Sequence, residues 1–373
     1  MYIIITSHSL RKDSGVTNVI VGLANELHIQ GVRFSVVIYE EVEPQILQRF
    51  SNPSVVLSAN TNSSKLAKVY LFIRTLKKII YLHKGADNII VHDHGIWNIS
   101  NILSSIIAKY YQCYFVISTH GMLSRWALRH RPLRKKIALK LYQKKIFDLA
   151  NGLLTTSSIE KNDVYEVVRH SNIYVIANGI KFPDSMSLNT MNTSKSQNRS
   201  LLFLSRVHPV KGLDILIEAW SQLQPSGWNL TIAGPDEDGY LFEVKMMVEK
   251  YGLNESVIFL GPISETQKPH LFSTSHMFIL PSYSENFGLV VAEALSYGIP
   301  VITTLNTPWI NLERDGCGWC VEANLNSLVN TLRHALSLDD SALSLMGVKA
   351  RSLANSFAWS KIVPQYQLFY KSL

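Results

Sequence analysis

An alternation constrains this chain more than any other feature. Short apolar runs at Tyr2–Thr6, Phe34–Tyr39, Asn88–His92, Tyr114–Ser118, Gly152–Thr156 and Ile173–Ile176 are separated by amphipathic stretches, the first a helix expected from about Val16. Strands that alternate with helix-length segments wire up as βαβ units, so the pattern predicts a parallel sheet with helices on both faces. Residues Lys181 to Ser200 then break the rhythm with a stretch rich in Ser, Asn and Thr that has little apolar periodicity and reads as a linker or loop. After it the alternation restarts, with strands at Leu201–Ser205, Leu230–Ala233, Val257–Leu260, Met277–Leu280 and Val301–Thr303. Helices are expected from about Gly212, near Leu241–Tyr251 and from Gly288. Further helical patterns close the chain, at Leu325–Leu336 and from Trp359, where Ile362, Val363, Tyr366, Phe369 and Tyr370 make one apolar face. So apolar a final helix needs a surface, and the first domain is the expected one.

A length of 373 residues agrees with two such α/β domains, and 47% hydrophobic with 17% charged residues excludes disorder, collagen and coiled coil. No stretch reaches the ~18 to 20 consecutive apolar residues of a membrane span. Met1–Thr6 has no positive flank and too short an apolar run for a secretory signal, which points to the cytoplasm. Three cysteines, Cys113, Cys317 and Cys320, are too few for a disulfide framework.

Lys and Arg number 36 against 28 Asp and Glu, a balance that favours anionic partners. The excess is concentrated. Arg125 to Lys145 holds nine Lys or Arg, among them Arg125, Arg129, Arg131, Arg134, Lys135 and Lys136, and no acidic residue. As one helix it would carry Ile137, Ala138, Leu141 and Tyr142 as an apolar stripe between basic flanks. A solvated face, attraction to anionic lipid head groups and a diphosphate-bearing substrate all fit. Nucleic acid fits less well, because no zinc-finger, RNP-like or recognition-helix pattern surrounds the run.

Ligands of open parallel sheets sit beyond the carboxyl ends of the strands, so chemistry should follow the strands. The segment Pro281-Ser-Tyr-Ser-Glu285-Asn286-Phe287-Gly288 leads from a strand into a nearly all-apolar helix, which leaves the amides of Asn286, Phe287 and Gly288 at a positive helix terminus suited to an anion. Glu293 lies inside that helix and needs a partner, either a ligand hydroxyl or a cation elsewhere in the fold. From Gly288 to Glu293 the helix rises ~7 to 8 Å, and Glu285 lies further back. The two carboxylates are therefore too far apart for the ~5 Å pair of a retaining hydrolase and suit opposite ends of one long ligand with an anionic middle. A sugar nucleotide has that layout. Arg206 and Lys211, between the strand Leu201–Ser205 and the next helix, are cations positioned for its diphosphate.

These residues resemble a known family. Ser205-Arg206 with Lys211-Gly212, Ala233-Gly234-Pro235-Asp236, Phe259-Leu260-Gly261, and Glu285-x-Phe287-Gly288 with Glu293 resemble the C-terminal domain of GT-B glycosyltransferases of family 4. Ser14-Gly15-Val16, His92-Asp93-His94-Gly-Ile-Trp97, Thr119-His120-Gly121-Met122 and Asn178-Gly179-Ile180 are similar to the subgroup that builds bacterial surface polysaccharides. The resemblance implies an α/β GT-B fold of two Rossmann-like parallel-sheet domains facing across a cleft. An acceptor domain would occupy residues 1–182, a linker 183–199, a nucleotide-sugar donor domain 200–356 and a returning helix 357–373.

By the same resemblance Glu285 holds donor-sugar hydroxyls, Asn286, Phe287 and Gly288 meet the sugar or diphosphate, and Glu293 binds the ribose diol. Arg206 and Lys211 neutralise the leaving diphosphate, Gly15 lets backbone approach it, and His120 contacts the sugar near the reacting carbon. Gly234 and Pro262 belong to the donor pocket, with the base read around Gly261 to Ile263, while His94 joins the surface cations on the acceptor and membrane side. Ser14-Gly15 departs from the Gly-Gly of many members. The expected activity is retaining, metal-independent transfer of a hexose from UDP-sugar or GDP-sugar to a lipid-linked or nascent glycan acceptor of O-antigen, capsule or exopolysaccharide. It would act peripherally at the anionic cytoplasmic face of the plasma membrane, without nucleic acid. A sugar-nucleotide epimerase of the same fold and a non-catalytic sugar-nucleotide-binding protein are the alternatives.

Three further motifs weigh less. Cys317-Gly-Trp-Cys320 has no second Cys pair, and His92-Asp93-His94 shows no third metal ligand. Asp236-Glu-Asp238 reads as a loop leading into a helix.

Overall fold

The structure, a computed structural model, describes residues 1–12, 14–58, 64–183 and 198–373. Most of the expected linker, residues 184–197, lies outside the described residues. The chain forms two compact units, Met1–Gly179 with Trp359–Leu373, and Ile180–Ala358.

In the first unit seven parallel strands lie in the order β3-β2-β1-β4-β5-β6-β7: β1 Tyr2–Ser7, β2 Phe34–Ile38, β3 Val56–Ser58, β4 Ile89–His94, β5 Tyr114–Ser118, β6 Gly152–Thr155 and β7 Ile173–Val175. Every residue of β1 and β2 is buried, which is why these segments read as mostly apolar instead of alternating, with the polar Ser35 satisfied by Tyr2 and Thr6 by Asp93. The strand order reverses between β1 and β4, the position at which an open α/β sheet leaves room for a ligand.

β4 runs two residues beyond the end expected at His92. The polar triplet looked like a strand terminus, yet all three side chains find partners inside the unit. Asp93 accepts from Thr6 Oγ1 at 2.7 Å and Asn101 Nδ2 at 2.6 Å. His92 bonds Tyr370 and Ser118, and His94 bonds His120. Buried polar groups are tolerated when they are satisfied in this way.

The last helix, Trp359–Lys371, packs in the first unit, with Trp359, Ile362, Val363, Tyr366, Phe369 and Tyr370 all buried. Its first residue fills a notch made by two glycines. A Cβ at Gly22 would stand 2.1 Å from Trp359 Nε1, and one at Gly179 would stand 2.3 Å from its Cδ2, so only glycine admits the indole at either place. The chain leaves this unit after Gly179, and Ile180 already bridges to Ala358 while donating its amide to Phe357 O at 2.8 Å.

The second unit has six parallel strands in the order β10-β9-β8-β11-β12-β13: β8 Arg199–Leu204, β9 Trp228–Ala233, β10 Val257–Gly261, β11 Met277–Leu280, β12 Val301–Thr304 and β13 Gly318–Val321. Its reversal falls between β8 and β11. The short strands β3 and β13 and the helix Asp340–Ala354 had no distinct sequence signal of their own.

Candidate functional site

The loops after β8 and β11 meet at the reversal of the second sheet. After Leu204 the chain runs through Arg206 into a turn, Pro209–Lys211, that His208 caps by accepting the Val210 amide at Nδ1. The β11 loop is tied to it by a bond from Tyr283 N to Val210 O at 2.8 Å. Lys211, only 8% exposed, is thereby brought to Glu285, Nζ to Oε2 at 2.5 Å.

Gly288, in the left-handed region at φ 73°, begins the helix Leu289–Ser296. The turn before the helix is fixed by Trp309 Nε1, which donates to Phe287 O at 2.6 Å, and by the packing of Phe287 against Trp309 and Phe357. The amides of Phe287 and Gly288 make no backbone hydrogen bond among the described residues, so they stand with the positive helix end beside the Lys211–Glu285 pair.

The neighbouring loops complete this face. A Cβ at Gly234 would lie 1.8 Å from Ser205 O, so glycine alone lets the β8 and β9 loops approach. Gly234 N bonds Gly261 O at 2.8 Å, and Pro262 follows at the exposed rim. Asp236 Oδ1 accepts from Leu241 N at 2.9 Å, so this acid caps the helix Tyr240–Lys250, as its loop position suggested.

Each charge expected at the donor site has an intramolecular partner. Arg206, half exposed, pairs with Glu237. Glu293 receives Lys268 Nζ at 3.2 and 3.3 Å, and Lys268 also reaches Glu265 at 2.9 Å. Burial works to lower the Lys268 pKa, but the attraction of Glu293 and Glu265 outweighs it and the pKa is raised. Of the two partners that the sequence left open for Glu293, a cation is the one present here. Lys268 escaped the sequence reading, as did the pairing of Glu237 with Arg206. The Glu265-x-x-Lys268 spacing was visible, but nothing in it pointed to Glu293.

In the first unit, Gly15 is exposed at the start of the helix Gly15–Ile29. His94, grouped by the sequence with surface cations, is instead 3% exposed and faces His120, Nδ1 to Nε2 at 3.0 Å. Burial drives all three imidazoles down, His92 to about 3, His120 to about 4 and His94 well below its ordinary value, so the cluster is neutral.

His120 sits in the left-handed region at φ 48°, and its two neighbours are pinned by a residue that the sequence reading missed. Buried Glu160 accepts from Thr119 Oγ1 at 2.6 Å and from Gly121 N at 2.5 Å, as well as from Thr156 N and Oγ1 at 2.7 and 2.9 Å. Ser157-x-x-Glu160 is a capping-box spacing, and Ser157 does cap the Glu160 amide. The carboxylate turns to the His120 loop as well, which the motif does not announce.

The basic run is not one helix. It forms Arg125–Arg129 and Pro132–Ala138, then a π turn at Leu139–Gln143 and the helix Lys144–Leu149, because Arg131 adopts φ 52° ahead of Pro132. Ile137 and Leu141 do not pack as a stripe. They are 58% and 66% exposed, joined by Leu133 at 76% and Trp126 at 40%, among exposed Arg125, Arg129, Arg131, Arg134 and Lys136, with Lys135 half-buried. Gln143, fully buried, bridges inward by accepting from Trp97 N at 3.0 Å and donating to Asn101 Oδ1 at 2.9 Å. Cys317 is buried and Cys320 half-buried, and burial raises both thiols to about 11, so neither is poised to react. Among the described residues no group of three His, Cys, Asp or Glu side chains is placed to hold a metal ion.

Residues 14–182 match the family described as Glycosyltransferase Family 4, and residues 189–350 match Glycosyl transferases group 1. The chain belongs to the group 1, family 4 glycosyltransferases. This family member is 25% identical over 220 residues to an uncharacterized glycosyltransferase of Haemophilus influenzae, covering 58% of this chain and 60% of that protein. It is also 25% identical over 231 residues to the GDP-mannose:cellobiosyl-diphosphopolyprenol alpha-mannosyltransferase of Komagataeibacter xylinus, covering 59% and 56%. The matches thus span little more than half the length of these curated relatives. The fold of this glycosyltransferase is similar to that of Anabaena HepE in complex with UDP and glucose, with a TM-score of 0.78 at 19% identity over 100% of this chain and 99% of the other. It is a GT-B fold, with one Rossmann-like parallel sheet in each unit.

Proposed function

We propose that this glycosyltransferase moves a hexose from a nucleoside-diphosphate sugar to a lipid-linked or nascent glycan acceptor in bacterial surface polysaccharide synthesis, with retention of configuration and without a metal. The observation that carries the reading is the buried Lys211–Glu285 pair beside the helix end at Phe287–Gly288, at the reversal of the second sheet. An ammonium, two free amides and a carboxylate there present an anion site next to an acceptor of hydroxyl hydrogen bonds. A sugar diphosphate offers those groups in that order.

In this reading Arg206 and Lys211 stabilise the charge that develops on the leaving phosphate, together with the positive helix end. Arg206 exchanges Glu237 for phosphate oxygens, and Glu293 exchanges Lys268 for the ribose diol. Glu285 fixes the orientation of the sugar, and neutral His120, at the carboxyl end of the first sheet, contacts the sugar near its reacting carbon. The HepE complex with UDP and glucose supports a nucleotide-sugar donor, and the diphosphopolyprenol named for the Komagataeibacter relative supports a lipid-linked acceptor. Among the described residues no helix is long and apolar enough to cross a membrane. The exposed Trp126, Leu133, Ile137 and Leu141 among cations suit peripheral contact with an anionic bilayer at its cytoplasmic face, where each cation near the surface adds about 1 kcal/mol.

Calorimetric titration of UDP and GDP, with and without Mg²⁺, into wild type, Arg206→Ala and Glu293→Ala tests the donor site. The expected result is Mg²⁺-independent binding of one nucleotide that both substitutions weaken. Loss of binding on chelation of divalent ions, or indifference to both substitutions, would overturn the assignment.

A further inference from the structure

The His94–His120 contact has two possible proton arrangements, and burial decides between them. Their rings stack at a centroid distance of 5.1 Å with Nδ1 of His94 3.0 Å from Nε2 of His120. Both rings are neutral, so one nitrogen of this pair carries the shared proton and the other offers its lone pair. The far nitrogen of His94, Nε2, is buried with no hydrogen-bond partner. A proton there would be an orphaned buried N–H, which folded proteins avoid more strictly than an unshared acceptor. The proton of His94 therefore sits on Nδ1 and is donated to His120 Nε2, which leaves the proton of His120 on Nδ1.

We propose that His94 is a positioning residue for sugar transfer: buried and out of reach of substrate, it holds His120 as the Nδ1–H tautomer and so presents Nδ1 as a hydrogen-bond donor. This rests on the reading above that His120 touches the donor sugar. Two constraints converge on that ring. Glu160 fixes the backbone on either side of it through Thr119 and Gly121, and His94 fixes the rotation and tautomer of the imidazole. A bare His120 with Nε2 protonated would turn a lone pair toward a sugar oxygen and repel it.

The test uses the full-length protein labelled with ¹⁵N-histidine, and the variants His94→Asn and His94→Leu. The His120 resonances are identified by their loss in His120→Gln. Long-range ¹⁵N–¹H correlation of wild type is expected to show His120 protonated at Nδ1, and a His120 protonated at Nε2 overturns the proposal. The asparagine amide can replace the Nδ1–H donor, whereas leucine fills space without donating. His94→Leu is expected to lower kcat by roughly 10- to 100-fold, the usual effect of misplacing a reacting group, with the Kd for UDP or GDP unchanged. His94→Asn should recover most of that loss. If both variants keep the wild-type melting temperature and lose activity equally, His94 acts through packing and the proposal fails. The spectrum of wild type needs no substrate, so it decides the hydrogen bond even if the protein binds no nucleotide and transfers no sugar, an outcome that would sink the transferase reading instead.

Discussion

Removing the carboxylate of Glu285 should strengthen binding of the free nucleotide while abolishing transfer. Lys211 and Glu285 are 10% and 15% exposed at their side chains and lie 2.5 Å apart, so each is the neutralising partner of the other. A diphosphate arriving at Lys211 has to share it with Glu285. In Glu285→Gln the ammonium is free for phosphate, and one charge-assisted contact of about 1.5 to 3 kcal/mol corresponds to a ten- to hundred-fold change in Kd as its upper bound. Lys211→Met should weaken the same ligand by a comparable factor. Both single substitutions leave one buried charge without its partner and should lower stability by about 3 kcal/mol, with the double substitution costing clearly less than the sum. The assay is calorimetry with UDP and GDP, followed by the matching sugar nucleotide, alongside urea unfolding of all four proteins. For Glu285→Gln the gain should appear with the diphosphate and shrink with the sugar nucleotide, because the sugar hydroxyls then meet a neutral amide oxygen in place of a charged carboxylate, a weaker acceptor. Equal weakening by both substitutions would refute the reasoning, since the pair would then be a structural strut instead of a divided ligand site.

Three other outcomes follow from the geometry. Burial holds His92 and His120 down to about 3 and 4, below the 6.5 of the unfolded chain, so their contribution to stability is complete above pH 6.5 and is lost as pH falls toward 4 for His120 and 3 for His92. Asp93 runs the other way: burial raises it to about 7 from 3.8, so it destabilises increasingly between pH 4 and 7. Urea unfolding of Asp93→Asn at pH 4.5 and 8 should therefore show a steeper rise in stability with pH than wild type does, and an unchanged slope would show that Asp93 is ionised in the fold. Trp359→Ala empties the notch between Gly22 and Gly179 and should destabilise the first unit by about 3 to 5 kcal/mol, read as an early urea transition, and a single unshifted transition would contradict that packing. Replacing Leu133, Ile137 and Leu141 together by Ser should leave the melting temperature unchanged, because all three are exposed, yet reduce flotation with anionic liposomes. Undiminished flotation would remove the basic run from the membrane contact.

What the sequence made legible was whatever a local pattern encodes. The strands β1 and β8 were plain because their central stretches, Ile3–Ile5 and Leu201–Leu204, are buried and wholly apolar, and Lys211, Glu285 and Gly288 were plain because they follow strands in short loops. The extension of β4 through His92-Asp93-His94 was hidden because its partners Tyr370 and Asn101 lie on other elements. The same holds for Lys268, which meets Glu293 across 25 residues, and for Glu160, which meets Thr119 and Gly121 across 41 and 39. A polar residue whose partner is distant in the chain looks exposed or catalytic when read alone. The fracture of the basic run was foreshadowed by Pro132, but the outward turn of Ile137 and Leu141 was not, since the same spacing would serve a buried stripe equally well.

The return of Trp359–Lys371 to the first unit has a consequence for synthesis. A ribosome delivers residues 1–179 first, then the whole of the second unit, and only afterwards the indole that fills the notch at Gly22 and the phenol of Tyr370 that bonds His92. The nascent first unit must wait with that apolar seat open for the time it takes to make some 180 further residues, at about 5 to 20 residues per second. The second unit, contiguous in the chain, carries no such delay. Of the two units, the one made first is thus the one completed last, and a lesion in the codons for Trp359–Lys371 would be felt in the histidine cluster of the first unit.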